Sequence, residues 1–274
     1  MSLDLRIIGD YSTSKQEFKV WELEDDASCI AALAGEYRNL RTQCVASIGS
    51  VNVEGIGVVD TTQLRSFLAS KTIPLPLDVP FDVIRSDMGE TLAHMILEQE
   101  YSTRFGYKSV RDRELIQLPG RGIDAVGVEN DNTLTLLLGE VKVSGEDRNP
   151  PQVVDRNNDS ISKSLLAHIK NHDETSRKIW DMARRSRDTV FAELLFASAI
   201  YWDEKKWSHL HVICCGVLVR PLDKHKEKDF GLLKDNPGHV APARVRFLIV
   251  CVNSDLEETV SEFYRLATAG EEVS

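Results

Sequence analysis

No run of about 18 apolar residues occurs in the chain, so nothing in it is expected to span a membrane. The opening stretch MSLDLRIIGD lacks a basic segment followed by an apolar signal region, which points to a cytoplasmic protein rather than a secreted one. Cysteine is sparse: Cys29, Cys44, Cys214, Cys215 and Cys251 are odd in number and include no C-x-x-C pair. That pattern suits reduced thiols better than disulfides or a zinc site. Basic residues are outnumbered, 33 against 43 acids, for a net charge of −10. Such a balance argues against indiscriminate nucleic-acid binding, though a nuclease needs only a favourable local field along the bound strand. The segment around Gly55 and Gly57 has neither G-x-G-x-x-G nor a G-K-S/T ending, so it is no nucleotide loop. No internal repeat or low-complexity segment appears.

The 274 residues, 42% hydrophobic and 28% charged, suffice for one large domain or two modest ones with a sizeable core. Residues 16–24 alternate like a half-buried strand, and Asp26 introduces a helix running to Leu40. Residues 50–59 read as strand and turn, followed by a short helix from Thr61 or Thr62 to Ser70. Between Lys71 and Pro80 stand three prolines in ten residues, a stiff extended connection. This sets an expected boundary between an N-terminal α+β domain, 1–80, and a larger domain, 81–274. In the second domain, Ser86 and Asp87 cap a helix running to Glu100, and a strand is expected from Arg111 to Leu118. A hairpin with its apex at residues 130–132 comes next, then helices over 152–171, 174–187 and 189–203. Strands at 210–219 and 245–252 and a helix from Asp255 to Ala267 finish the chain. The expected fold class is α/β, a mixed sheet with helices packed over it.

The hairpin carries awkward charges. Asp124 lies in its first strand, and Glu140 and Lys142 lie two apart in its second, each within an apolar run. Buried strands tolerate such groups when they pair with one another or bind a metal. Glu140 and Lys142 share a face because side chains alternate along a strand. With Asp131 as the apex of the turn, Val128 pairs with Leu134 and Asp124 falls opposite Leu138. Asp124 then sits one diagonal step from Glu140 on the same face; a slip of one residue would separate them. Two converging carboxylates suit Mg²⁺ or Mn²⁺, and a lysine beside the ion can orient water and offset phosphate charge. The competing reading is a structural ion-pair cluster at a strand edge.

The arrangement D-x(15)-E-x-K, following a helix that carries Glu90, resembles the PD-(D/E)xK nuclease superfamily, with Ile123 where a proline is usual before the aspartate. More narrowly, Gly120 to Asp124 (GRGID) with Gly139 to Lys142 (GEVK) resembles the HamA family, the nuclease subunit of Hachiman anti-phage systems. The resemblance implies an αβββαβ core and a divalent-metal-dependent deoxyribonuclease. Asp124, Glu140 and Glu90 would hold the metal, Lys142 would position water, and a partner helicase, HamB, would restrain the enzyme. A catalytically silent nuclease fold that regulates a helicase is the alternative.

Other candidates rank lower. Glu98 and Glu100 compete with Glu90, and Gln152 either touches substrate or begins a helix. His168 and His172 stand i, i+4 without the glutamate of an H-E-x-x-H motif. His209 and His211 have no evident third ligand, and Cys214–Cys215 reads as packing. Glu204–Lys205–Lys206 repeats E-x-K in a polar stretch with no strand around it. Trp202 and Trp207 read as core anchors or base-stacking rings. From 177 to 187, Arg177, Lys178, Arg184, Arg185 and Arg187 against Asp181 give +4, a solvated helix face or a phosphate-binding one.

Overall fold

The computed structural model describes residues 2–42, 50–55, 57–60, 72–73, 79–112, 122–130, 133–186 and 188–269. In chain order its first elements are β1 (Leu5–Asp10), β2 (Glu17–Leu23), α1 (Asp26–Thr42), β3 (Val51–Val53) and β4 (Gly57–Val59). Next come α2 (Phe81–Tyr101), α3 (Ser109–Asp112), β5 (Ala125–Asn130), β6 (Leu134–Val143) and α4 (Gln152–Asp155). The rest are α5 (Ile161–Lys170), α6 (His172–Arg185), α7 (Thr189–Asp203), β7 (His211–Pro221), α8 (Gly231–Asp235), β8 (Arg244–Val252) and α9 (Leu256–Ala269). Six strands form one mixed sheet in the order β1-β2-β8-β7-β6-β5, while β3 and β4 form a separate hairpin. The pairs β2–β8, β8–β7 and β7–β6 are parallel, and both outer pairs are antiparallel.

Parallel sheets need cover on both faces, so their strands read as continuous apolar runs. β6 follows this rule: Leu137 and Val141 face a core built with α1, α2 and α9, and Leu136 and Leu138 face one built with α5, α6 and α7. Cys214 and Cys215 divide between those two cores as expected, and Cys29, Cys214, Cys215 and Cys251 are all buried free thiols. Residues 5–42 give two strands and a helix to this same sheet and core, so the sheet runs across the division expected at residue 80.

Local readings shift in three places. α2 begins at Phe81, directly after Pro80, whose missing N–H matters little at a helix mouth. Ser86 and Asp87 therefore lie inside the helix, and Asp87 is buried against Arg41 Nη2 at 2.9 Å instead of capping. The strand expected from Arg111 opens in helix α3 and otherwise lies outside the described residues. The hairpin pairs Asn130 with Leu134 and Ala125 with Gly139, so its connection centres on residue 132 rather than 131. That register differs from the expected one by two residues, which keeps every side chain on its face. Continued by one residue, it sets Asp124 across from Glu140 rather than Leu138.

The loop leaving β6 toward α4 is fixed by a buried ion pair. Arg220, at the end of β7, places Nε 3.0 Å from Asp229 Oδ2, with both side chains fully buried. Its Nη2 also donates to the carbonyls of Lys224, at 2.9 Å, and Arg148, at 3.0 Å. Removing one member of such a pair strands the other without a counter-charge. Arg220→Ala is expected to cost about 3–5 kcal/mol, lowering Tm by on the order of 10 °C. A thermal melt within a degree or two of the native chain would show the pair to be dispensable.

Candidate functional site

β6 is apolar until its last turn of pleat, where Glu140 and Lys142 follow Leu136 and Leu138 on the face covered by α5. Opposite Glu140 in β7 stands Gly216, and a Cβ there would lie 2.8 Å from Ile161 Cγ2. The bare glycine lets α5 lie close to the strands. Along that helix Ile161, Leu165 and His168 are buried, one stripe at helical spacing. The stripe delivers His168 Nε2 to within 2.8 Å of Glu140 Oε1.

Asp124 closes the other side of the pair. It precedes β5, and its Oδ2 accepts a 2.9 Å hydrogen bond from the Val141 N–H, which ties it to the strand between Glu140 and Lys142. Lys142 Nζ stands 3.4 Å from Asp159 Oδ2. Glu90 arrives from α2, on the opposite face of the sheet. A Cβ on its neighbour Gly89 would meet Val143 Cγ2 at 2.5 Å, so the glycine allows helix and strand to touch. Glu90 is buried and accepts hydrogen bonds from Ser86 Oγ, at 3.3 Å, and from Ser109 Oγ. It lies ten residues into the helix that begins at Phe81, beyond the reach of the terminal dipole.

Asp124, Glu140, Lys142 and Glu90 all line one cleft of about 540 Å³, together with Lys163 and Lys178. Its walls strip water from the acids. Burial, reinforced by the Glu140 charge, pushes the Asp124 carboxyl up to about 7. Burial likewise raises Glu140 to about 7, with Lys142 opposing the shift. His168 moves the other way, to about 4, because burial and Lys178 disfavour its imidazolium. At neutral pH the cleft therefore holds a neutral imidazole beside two carboxyl groups that resist joint ionisation. Among the described residues no group of three or more His, Cys, Asp and Glu side chains is arranged to hold a metal ion.

The remaining candidates separate cleanly. Glu98 pairs with Lys108, and Glu100 accepts from the Gln99 amide; neither lines the cleft. Gln152 opens α4, its backbone N–H donating to Glu146 Oε2 at 3.2 Å. His172 turns away from His168 to bond the Trp202 carbonyl and stack on that ring. Trp202 is buried core and Trp207 packs edge-on against it. His209 and His211 are exposed beside and at the start of β7. Glu204, Lys205 and Lys206 form a turn after α7, with Lys206 paired to Glu204. His168 is the residue that pattern reading set aside: paired in sequence with His172 it suggests zinc, but its place on an apolar stripe facing β6 is what brings it to Glu140.

Compared with known proteins, the chain matches the HamA family model over residues 6–267. No curated protein and no solved structure matches it.

The facing carboxylates give a stability test. Both carry folded-state pKa values above those of unfolded carboxylates, so their ionisation penalty is complete above about pH 7 and absent below about pH 4. Glu140→Gln removes the Glu140 share of that penalty, and the charge it sets beside Asp124, while keeping an oxygen for His168. Without divalent ions, its Tm should exceed the native value at pH 8, and the excess should shrink toward pH 5. A pH-independent difference in circular-dichroism melts would show that burial does not hold the Glu140 carboxyl above its ordinary range.

Proposed function

The chain belongs to the HamA family, a component of Hachiman antiviral defence, and from that premise we propose that it is a divalent-metal-dependent nuclease acting on DNA. The observation that carries the proposal is the facing pair Asp124 and Glu140, set beside Lys142 in a cleft that also holds Lys163 and Lys178. The helix, hairpin, helices and parallel strands from α2 to β8 support a PD-(D/E)xK-type core.

The donor set fits Mg²⁺ or Mn²⁺. Magnesium binds through one or two carboxylates and keeps much of its water, so Asp124 and Glu140 would hold it with Glu90 assisting. A cation there would also offset the burial that raises both carboxyl pKa values. When bound, the ion supplies Lewis acidity and lowers the pKa of water. The chain's own groups do the rest. The Val141 N–H and the His168 ring fix the two carboxylates in place. Lys142 Nζ orients the attacking water and offsets negative charge growing on the phosphoryl oxygens. Lys163 and Lys178 draw the DNA backbone to the cleft. A helicase partner of the HamB type holds the enzyme in check and delivers DNA, which suits a chain with a net charge of −10.

A second reading, a catalytically silent subunit that regulates a helicase, is favoured by the ligand arms themselves. Glu140 is already bonded to His168, and Glu90 to two serine hydroxyls. Calorimetric titration with Mn²⁺ separates the two readings, since a silent fold has no reason to bind the ion at Asp124 and Glu140.

Digestion of plasmid DNA by the chain with its helicase partner, in Mg²⁺ or in EDTA, tests the enzyme. Asp124→Ala and Glu140→Ala should abolish cleavage. Lys142→Ala should slow it by on the order of 10²–10³-fold, and Glu90→Gln should act less severely. Undiminished activity in both Glu140→Ala and Lys142→Ala would refute the assignment.

A further inference from the structure

Beside the acid cleft lies a second groove, of about 790 Å³, between α6 and α7. Glu174 and Lys178 wall both, so the two adjoin across that pair of residues on α6. The groove presents Trp180, which is 46% exposed despite its size. Its ring packs edge-on against Phe196, with centroids 4.7 Å apart and planes at 62°, which braces the indole while leaving it open to solvent. Large aromatic rings held rigid and half exposed are stacking platforms more readily than core elements.

Charges of both signs line the groove, and two of its cations flank the ring. Arg177 and Arg184 lie three residues before and four after Trp180, on the same stripe of the helix and about 10.5 Å apart along its axis. Among the described residues neither has a carboxylate partner, whereas the nearby acids do. Glu174 pairs with Lys178, Asp181 with Arg185 and Glu204 with Lys206, leaving Asp203 at the rim. Two available guanidinium groups flanking a braced indole match a base between two phosphates. A flat, base-paired duplex cannot offer a base face to that ring, but a single strand can.

We propose that the groove between α6 and α7 is a single-stranded nucleic-acid subsite, with a base stacked on Trp180 and the adjoining phosphates on Arg177 and Arg184. It deepens, and rests on, the nucleic-acid reading of the acid cleft. A strand held there passes Lys178 on its way to Asp124 and Glu140.

The test is fluorescence anisotropy of labelled oligothymidylate with the full chain in a Glu140→Gln background, which keeps the probe intact. At low salt, Trp180→Ala should weaken binding about tenfold, and Trp180→Phe should keep most of the affinity. Arg177→Gln and Arg184→Gln should each lower the slope of log Kd against log salt by about 0.7. Affinity for a blunt duplex should not respond to Trp180→Ala. Binding unchanged by Trp180→Ala, or no oligothymidylate binding at low salt, overturns the proposal and leaves the groove to a protein partner. The two readings fail separately. If Trp180→Ala weakens binding but no metal-dependent cleavage exists, the subsite stands and the catalytic reading falls. If cleavage exists and Trp180→Ala changes nothing, the reverse holds.

Discussion

Two carboxyl groups facing each other in a desolvated cleft cannot both ionise without something positive between or beside them. That constraint organises everything around Asp124 and Glu140. The Val141 N–H stabilises one carboxylate, the His168 ring holds the other, and Lys142 stands close enough to oppose the rise in the pKa of Glu140. Gly216 in the next strand carries no side chain, which is why α5 can approach and bring the imidazole to Glu140. Without these partners the end of β6 would carry buried charge with no compensation, at a cost no apolar core nearby could offset.

The chain's overall acidity and its local cations answer different physical needs. A net charge of −10 keeps the molecule from gathering nucleic acid over its whole surface. Lys142, Lys163 and Lys178 line the cleft, and Arg177 and Arg184 the groove beside it, each set among acids. Several other surface cations are tied to acids close by in sequence, as in Arg85–Asp82, Lys234–Glu227 and Arg265–Glu262. Cations grouped at those two sites, rather than spread over the surface, would act only on a polyanion brought close to them.

Much of this arrangement is legible in the sequence because burial leaves strong local signatures. The continuous apolar runs at 210–219 and 245–252 can be satisfied only inside a covered parallel sheet, and they become β7 and β8. The acids in the hairpin stand out because apolar strands rarely carry them; side-chain period puts Glu140 and Lys142 on one face, and the parity of the register adds Asp124. The exact register is less legible, because moving the turn's centre by one residue slides the pairing by two while the pattern of faces stays the same. β1 leaves little trace: Ile7 and Ile8 are adjacent and both exposed on an edge strand, giving neither alternation nor a buried run. The start of α2 is hidden by Ser86 and Asp87, which look like a cap, while the true partner of Asp87, Arg41, is far away in sequence. His168 is hidden for the same reason, since its meaning lies in a strand 28 residues earlier.

The sheet's strand order has a consequence for how the protein comes into being. Among the described residues β8 is the strand latest in sequence, yet it sits between β7 and β2 and is the only link in the sheet between the N-terminal strands and the acid-bearing ones. On the ribosome, β1, β2 and α1 emerge first and have no sheet to join, while the hairpin with Asp124 and Glu140 can form but lacks its full support. Closure waits for a contact that spans most of the chain, the kind of non-local pairing that makes folding slow. A truncated product ending before Arg244 would therefore carry all of the cleft acids without the strand that unites the fold. The cleft acids thus gain a complete sheet beneath them only once β8 has entered it.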